Sequence, residues 1–196
     1  MPFRDPKALP FVPIKWSGVP PHLYKPGCTY FITTRLADAV IPWPERCLQI
    51  RDEEFSPEEL MEGVDPPLCL GSCVLGRPDV AELIQGALLY YAEQRYQLHA
   101  WCIMPNHVHI VMETLDSWLP DRILKDWKGY TAREANKLLG RSGTFWERES
   151  FDHLVRTLSS LLKFVAYNQL NPVTAGMCAA TADWPYSSRT SLQRVE

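Results

Sequence analysis

The sequence predicts an α+β fold: an antiparallel sheet with helices packed on one face, in the split βαβ or ferredoxin-like arrangement. Three observations predict it. Segments of β-rich character and segments of helical periodicity follow one another as β, α, β, β, α, (β), α. Two of the strand segments, "YQLHAWCIM" and "HVHIVMET", meet at a short proline-containing turn, which makes them an antiparallel pair at the centre of the chain. The 196 residues, 46% of them apolar, are enough for one domain with a real core.

The elements are justified in order. Residues 1–27 are rich in proline and end in the turn signal "KPG", which reads as an extended arm. "CTYFITTRL" (28–36) is β-branched and aromatic and forms the first strand. Residues 37–77 are irregular; their one helical hint is "SPEELMEG", where Ser56 caps, Pro57 takes the first helical position and Glu59 completes a capping box. "RPDVAELIQGALLYYAEQR" is the first helix, with Asp79 as N-cap and its end near Arg95. After the hairpin, "SWLPDRILKDWKGYTAREANKLLG" is the second helix, closed by Gly140. "GTFWERESFDHLVR" is an extended segment with strand character, and "TLSSLLKFVAYNQLN" is the third helix, stopped by Pro172. "ADWPYSS" is a turn-rich anchor around Trp184. The domain organisation is therefore an arm (1–27), one domain (28–190, with 37–77 as an irregular insertion) and a tail (191–196).

Composition excludes several classes. No apolar run approaches the ~20 residues of a membrane span, and the charged, proline-rich start lacks the apolar core of a secretion signal. A soluble, cytoplasmic protein is expected. The six cysteines include no Cys-x-x-Cys pair, so a zinc ribbon is not expected and reduced thiols are. The net charge of −3 argues mildly against nucleic-acid binding, but it is unevenly spread. Acids dominate between Asp38 and Glu82. From Trp118 to Leu170 nine bases, among them Lys125, Lys128, Arg133, Arg148, Arg156 and Lys163, stand against six acids. A polyanion meets local potential rather than the total.

The hairpin carries the chemistry. Side chains alternate along a strand, so His107, His109 and Val111 share one face while Val108, Ile110 and Met112 read as the core side. On the third helix, Leu158, Leu161, Leu162 and Val165 form an apolar stripe at 100° per residue, with Tyr167 roughly opposite and Asn171 as its i+4 neighbour. Two imidazoles can bind a divalent ion, and an amide oxygen can complete an open site. Such an ion polarises a phosphoryl oxygen. A tyrosine hydroxyl beside it can attack phosphorus, with Lys163 and the ion stabilising the developing charge.

The blocks "MPNHVHIVME", "KGYTAREAN", "FWERESFDHLVR", "YNQLNPVTAGM" and "DWPYSS", in that order, resemble the REP-associated tyrosine transposases, which are single-tyrosine HUH transposases of the IS200-like group. The resemblance runs from about Cys28 to Ser188 and leaves 37–77 uncovered. It implies a ferredoxin-like or RRM-like α+β core and metal-dependent cleavage and rejoining of single-stranded or hairpin DNA. His107 and His109 match the family's metal pair, Asn171 its third ligand and Tyr167 its nucleophile. The implied product is a 5′-phosphotyrosine with a free 3′-hydroxyl, and the implied ion is Mg²⁺ or Mn²⁺. The family often has tyrosine where this chain has Phe151, glutamine where it has Glu147, and an apolar residue where it has Asn168. The resemblance admits both a homodimer exchanging the tyrosine helix and a monomer.

DNA contacts are expected from the basic side of the second helix. Lys125, Lys128 and Arg133 are candidates for phosphates, Arg148 or Arg156 flank the cleavage site, and Trp127 or Tyr130 could stack bases. The alternative is a domesticated relative that binds structured nucleic acid without cutting it.

Overall fold

The computed structural model describes residues 3–8, 24–39, 71–115 and 117–188. The helical hint at Ser56, most of the arm and the 191–196 tail lie outside these residues. Seven elements follow in order: β1 (Thr29–Arg35), α1 (Pro78–Tyr90), β2 (Tyr96–Ile103), β3 (His107–Thr114), α2 (Pro120–Leu138), β4 (Phe151–Leu154) and α3 (Leu158–Thr174). The sheet order is β2-β3-β1-β4, and every neighbouring pair is antiparallel. This is the expected α+β class. The central hairpin turns through Met104–Asn106, closed by the Met104 amide donating to the His107 carbonyl at 2.9 Å.

Alternation along the strands produces two cores. On one face Tyr30, Ile32, Ile110 and Met112 pack with Ile84 of α1 and Trp127 of α2. On the other, Phe31, Val111 and Phe151 pack with Leu161, Phe164 and Tyr167 of α3. Packing on one face thus holds for α1 and α2, while α3 crosses the opposite face. The reason is Phe164, fully buried and stacked on Phe31 with ring centroids 4.5 Å apart. It draws the 161–164–167–168 side of the helix onto the sheet. The expected stripe is corrected accordingly: Leu158 and Leu162 are 54% and 62% exposed, and Tyr167 lies on the buried side.

Three boundaries also differ. Helix α1 starts from an Arg77 N-cap with Pro78 at its first position, where the fixed φ of proline favours helix entry. Asp79 sits in the first turn instead, its carboxylate accepting from the Val80 amide and from Arg77. The helix ends at Tyr90, before Glu93 at φ 67° breaks the helical path. Helix α3 runs through Pro172 to Thr174: proline in a last turn forfeits one hydrogen bond and the remaining turn is short. Its N-terminus is capped by Thr157 Oγ1, which accepts from the Ser160 amide at 3.0 Å. Helix α2 ends where Gly140 turns to φ +60°, as expected.

The anchor around Trp184 is present. Its indole donates to the Ile103 carbonyl at 3.0 Å, and the Ile103 amide donates to Tyr186 O at 2.9 Å. Cys28, Cys102 and Cys178 are free thiols. Cys73 departs from the reduced expectation: it is disulfide-bonded. Among the described residues no helix is long and apolar enough to cross a membrane.

Candidate active site

The site forms where α3 crosses the β2–β3 hairpin, beside β1. Register places Thr33 opposite His109 and Arg35 opposite His107, so Phe31, Thr33 and Arg35 share the face of the histidine pair. Both imidazoles are buried. Their Nε2 atoms face each other at 3.0 Å. Behind them, His107 Nδ1 lies 2.8 Å from Asn106 Oδ1, and His109 Nδ1 lies 2.7 Å from Thr33 Oγ1. Each ring is therefore oriented by a partner on the nitrogen that points away from the other ring, as in the outer shell of metal-binding histidines.

From above, α3 contributes two side chains. The Asn171 amide stands 3.4 Å from His109 Nε2 through its Nδ2; a half-turn of the amide exchanges that nitrogen for an oxygen. The Tyr167 ring meets His109 edge-on with centroids 5.2 Å apart, and Phe31 at 5.7 Å. Tyr167 and Asn171 come to the same side because they are four residues apart on one helix.

Electrostatics keep the pair neutral. Burial, with the Arg35 guanidinium adding to it, pushes His107 down to about 4. Burial and the neighbouring His107 hold His109 well below the usual imidazole range. Neutral rings with lone pairs on converging nitrogens are what a divalent cation requires. Two nitrogens about 2.1 Å from one ion at adjacent octahedral positions stand about 3.0 Å apart, so the separation fits. Among the described residues no group of three or more His, Cys, Asp or Glu side chains could hold a metal; beside the two imidazoles stands the amide of Asn171.

The basic residues separate into different environments. Lys125, Arg133, Arg148 and Arg156 are exposed. Lys125 and Arg148 line a cleft of about 480 Å³ between α2 and the 143–150 segment. Arg133 pairs with Glu134 and covers the exposed Tyr130 ring. Lys163 is half-buried. Lys128 is turned inward: its ammonium donates to Arg148 O, Glu149 O and Ser150 Oγ, and burial pushes it down to about 8. Its three donors brace the loop. Trp127 is core, stacked on Trp146 at 5.1 Å.

Sequence reading missed Thr33 and Asn106. The signal for Thr33 lay in the shared parity of Phe31, Thr33 and Arg35; Asn106 has none beyond its place before His107. Asn168 is buried and donates to the Phe164 carbonyl at 2.9 Å.

The chain is similar to known proteins in sequence and in fold. The family model described as "Transposase IS200 like" matches residues 77–159, a span that holds both histidines and ends before Tyr167. A Haemophilus influenzae protein named for the REP-associated tyrosine transposases is 26% identical over 106 residues, 47% of this chain. The match spans 58% of that relative's length. Among solved structures, that of a REP-associated tyrosine transposase bound to a REP hairpin shares the fold, with a TM-score of 0.60 and 17% identity over 91% of this chain and 87% of the other. In local sequence and in overall fold, the chain resembles the REP-associated tyrosine transposases of the IS200-like group.

Proposed function

We propose that the protein is a divalent-metal-dependent endonuclease and strand-transferase, acting in the cytoplasm on single-stranded DNA that carries hairpin-forming repeats. The observation that supports this most is the meeting of four side chains from two distant segments. His107 and His109 converge at 3.0 Å, with Asn171 at 3.4 Å and the Tyr167 ring at 5.2 Å from His109. The solved relative bound to a hairpin supports the choice of substrate.

His107, His109 and Asn171 would hold Mg²⁺ or Mn²⁺. When bound, the ion supplies Lewis-acid polarisation of a phosphoryl oxygen. The protein supplies the rest. Tyr167 Oη attacks the phosphorus, the Oη–P bond forms, and the P–O3′ bond breaks. The 3′-oxygen leaves as the new strand end and takes up a proton. The 5′-phosphotyrosine can be resealed by attack of a 3′-hydroxyl. Phe31 and Phe164 hold the phenol and exclude water around it. With Phe151 in the apolar cluster, Tyr167 has no tyrosine rival at that position.

The test is incubation with hairpin oligonucleotides from the repeats flanking the protein's own gene, with Mn²⁺, followed by a denaturing gel. Wild type is expected to form a covalent protein–DNA species and Tyr167→Phe none. An adduct that persists in Tyr167→Phe overturns the assignment. Hairpin binding with no adduct from wild type favours the non-cleaving binder.

A further inference from the structure

We infer that Arg35 is a phosphate-binding residue of this site and that Glu147 is its stand-in for the phosphodiester. The inference rests on the reading of the site given above and adds a residue to it.

Arg35 is the last residue of β1 and stands opposite His107 in register. Its parity is that of Phe31 and Thr33, both of which touch His109. The guanidinium therefore projects from the histidine face and not from the α1–α2 face. Across the sheet, α3 bounds one side of the pair through Tyr167 and Asn171, and β1 with Arg35 bounds the other. A phosphodiester seated between phenol and imidazoles would have beside it Arg35, the one Lys or Arg on the described strands.

The guanidinium is held in a two-point fork. Arg35 Nε donates to Glu147 Oε2, and Nη2 donates to Glu147 Oε1 at 2.9 Å. The geometry is the one guanidinium uses for a carboxylate or for two phosphate oxygens. Glu147 is fixed as well, its amide donating to the Arg35 carbonyl at 2.9 Å. The side chain of Arg35 is 14% exposed and that of Glu147 31%. A cation this buried is costly to leave unpaired, so a resting anion is required until a substrate anion arrives. Glu147 is the more exposed of the two partners.

The experiment measures binding of a fluorescent hairpin oligonucleotide with single-stranded flanks, in EDTA, across a salt series. Arg35→Gln is expected to weaken binding on the order of ten-fold at low salt. It should also flatten the slope of log K against log salt by about 0.7, the loss of one single-strand phosphate contact. Arg35→Lys should keep the slope and lose part of the affinity. Glu147→Gln should bind more tightly than wild type. A folded Arg35→Gln protein with the wild-type slope overturns the inference, since a structural ion pair does not move it. If Arg35→Gln does not fold, Glu147→Gln decides: unchanged affinity overturns the inference and tighter binding supports it. The covalent assay on wild type is separate. A reduced slope without any adduct keeps Arg35 and removes the covalent reading.

Discussion

His107 Nε2 and His109 Nε2 face each other at 3.0 Å, and their outer partners constrain what lies between them. Asn106 Oδ1 accepts from His107 Nδ1, which leaves the lone pair of His107 on Nε2. Without a cation, the contact closes when His109 carries its proton on Nε2 and Thr33 donates to Nδ1. To hold a cation, His109 would take the other tautomer and the Thr33 hydroxyl would accept from its Nδ1, leaving a lone pair on each Nε2. That change would move a proton within the site and release none, because both rings begin neutral.

Metal binding should therefore be insensitive to pH in the range where histidine sites ordinarily fail. An unperturbed pair loses its ion as pH falls through about 6.5. Here His107 is pushed down to about 4, so Mn²⁺ affinity is expected to stay level from neutral pH to about 5 and to fall only near 4. Calorimetry at neutral pH in buffers of different ionisation heat should give one binding enthalpy. His107→Ala or His109→Ala should abolish the Mn²⁺-dependent rise in melting temperature. At one hundred times Kd that rise corresponds to about 2.7 kcal/mol, or about 5–10 °C for a chain of this size.

The metal-free protein should lose stability on acidification. A histidine whose folded pKa is depressed binds its proton more readily in the unfolded chain. The stability is thus fully present above about 6.5 and is lost as pH falls toward about 4. For His107 alone the shift corresponds to about 3 kcal/mol, and His109 acts in the same direction. Denaturant unfolding in EDTA at pH 7 and pH 4.5 checks this. His107→Gln should flatten the profile even if it lowers the stability at pH 7.

The strand half of this site was legible and the helix half only in part. Two-residue alternation is exact, so the sequence alone places His107 and His109 together and Val108, Ile110 and Met112 on the opposite face, where they are found. Helix α3 offers two overlapping stripes, and Leu158–Leu162–Val165 competes with Leu161–Phe164–Tyr167. Local periodicity cannot choose between them. The choice is made by Phe31, Val111 and Phe151, which come from three other strands. The Arg35–Glu147 fork was unreadable for the same reason: its partners are 112 residues apart.

The buried side of α3 makes an opposite pair of outcomes available. Phe164 is fully buried against Phe31, so Phe164→Ala should cost about 3–5 kcal/mol and loosen the helix that positions Tyr167. Leu162 is exposed, and Leu162→Ala should stay within about 0.5 kcal/mol of wild type. Chemical denaturation of both variants distinguishes this face from the Leu158–Leu162 alternative, which predicts the reverse order.

A buried hydrogen bond helps to hold the loop that carries Glu147. Trp146 Nε1 donates to Thr131 Oγ1 at 2.8 Å, and that hydroxyl donates in turn to the Trp127 carbonyl at 2.8 Å. Thr131→Val keeps the shape and removes the acceptor, leaving a buried indole N–H unpaired. The expected cost is about 1–3 kcal/mol, or about 2–12 °C in melting temperature. Thr131→Ser keeps the hydroxyl and should lose less than half as much. Because Trp146 precedes Glu147 directly, Thr131→Val should also release Arg35 from its fork and shift hairpin affinity in the direction of Glu147→Gln. A Thr131→Val protein that melts with wild type would mean that this hydrogen bond does not hold the segment.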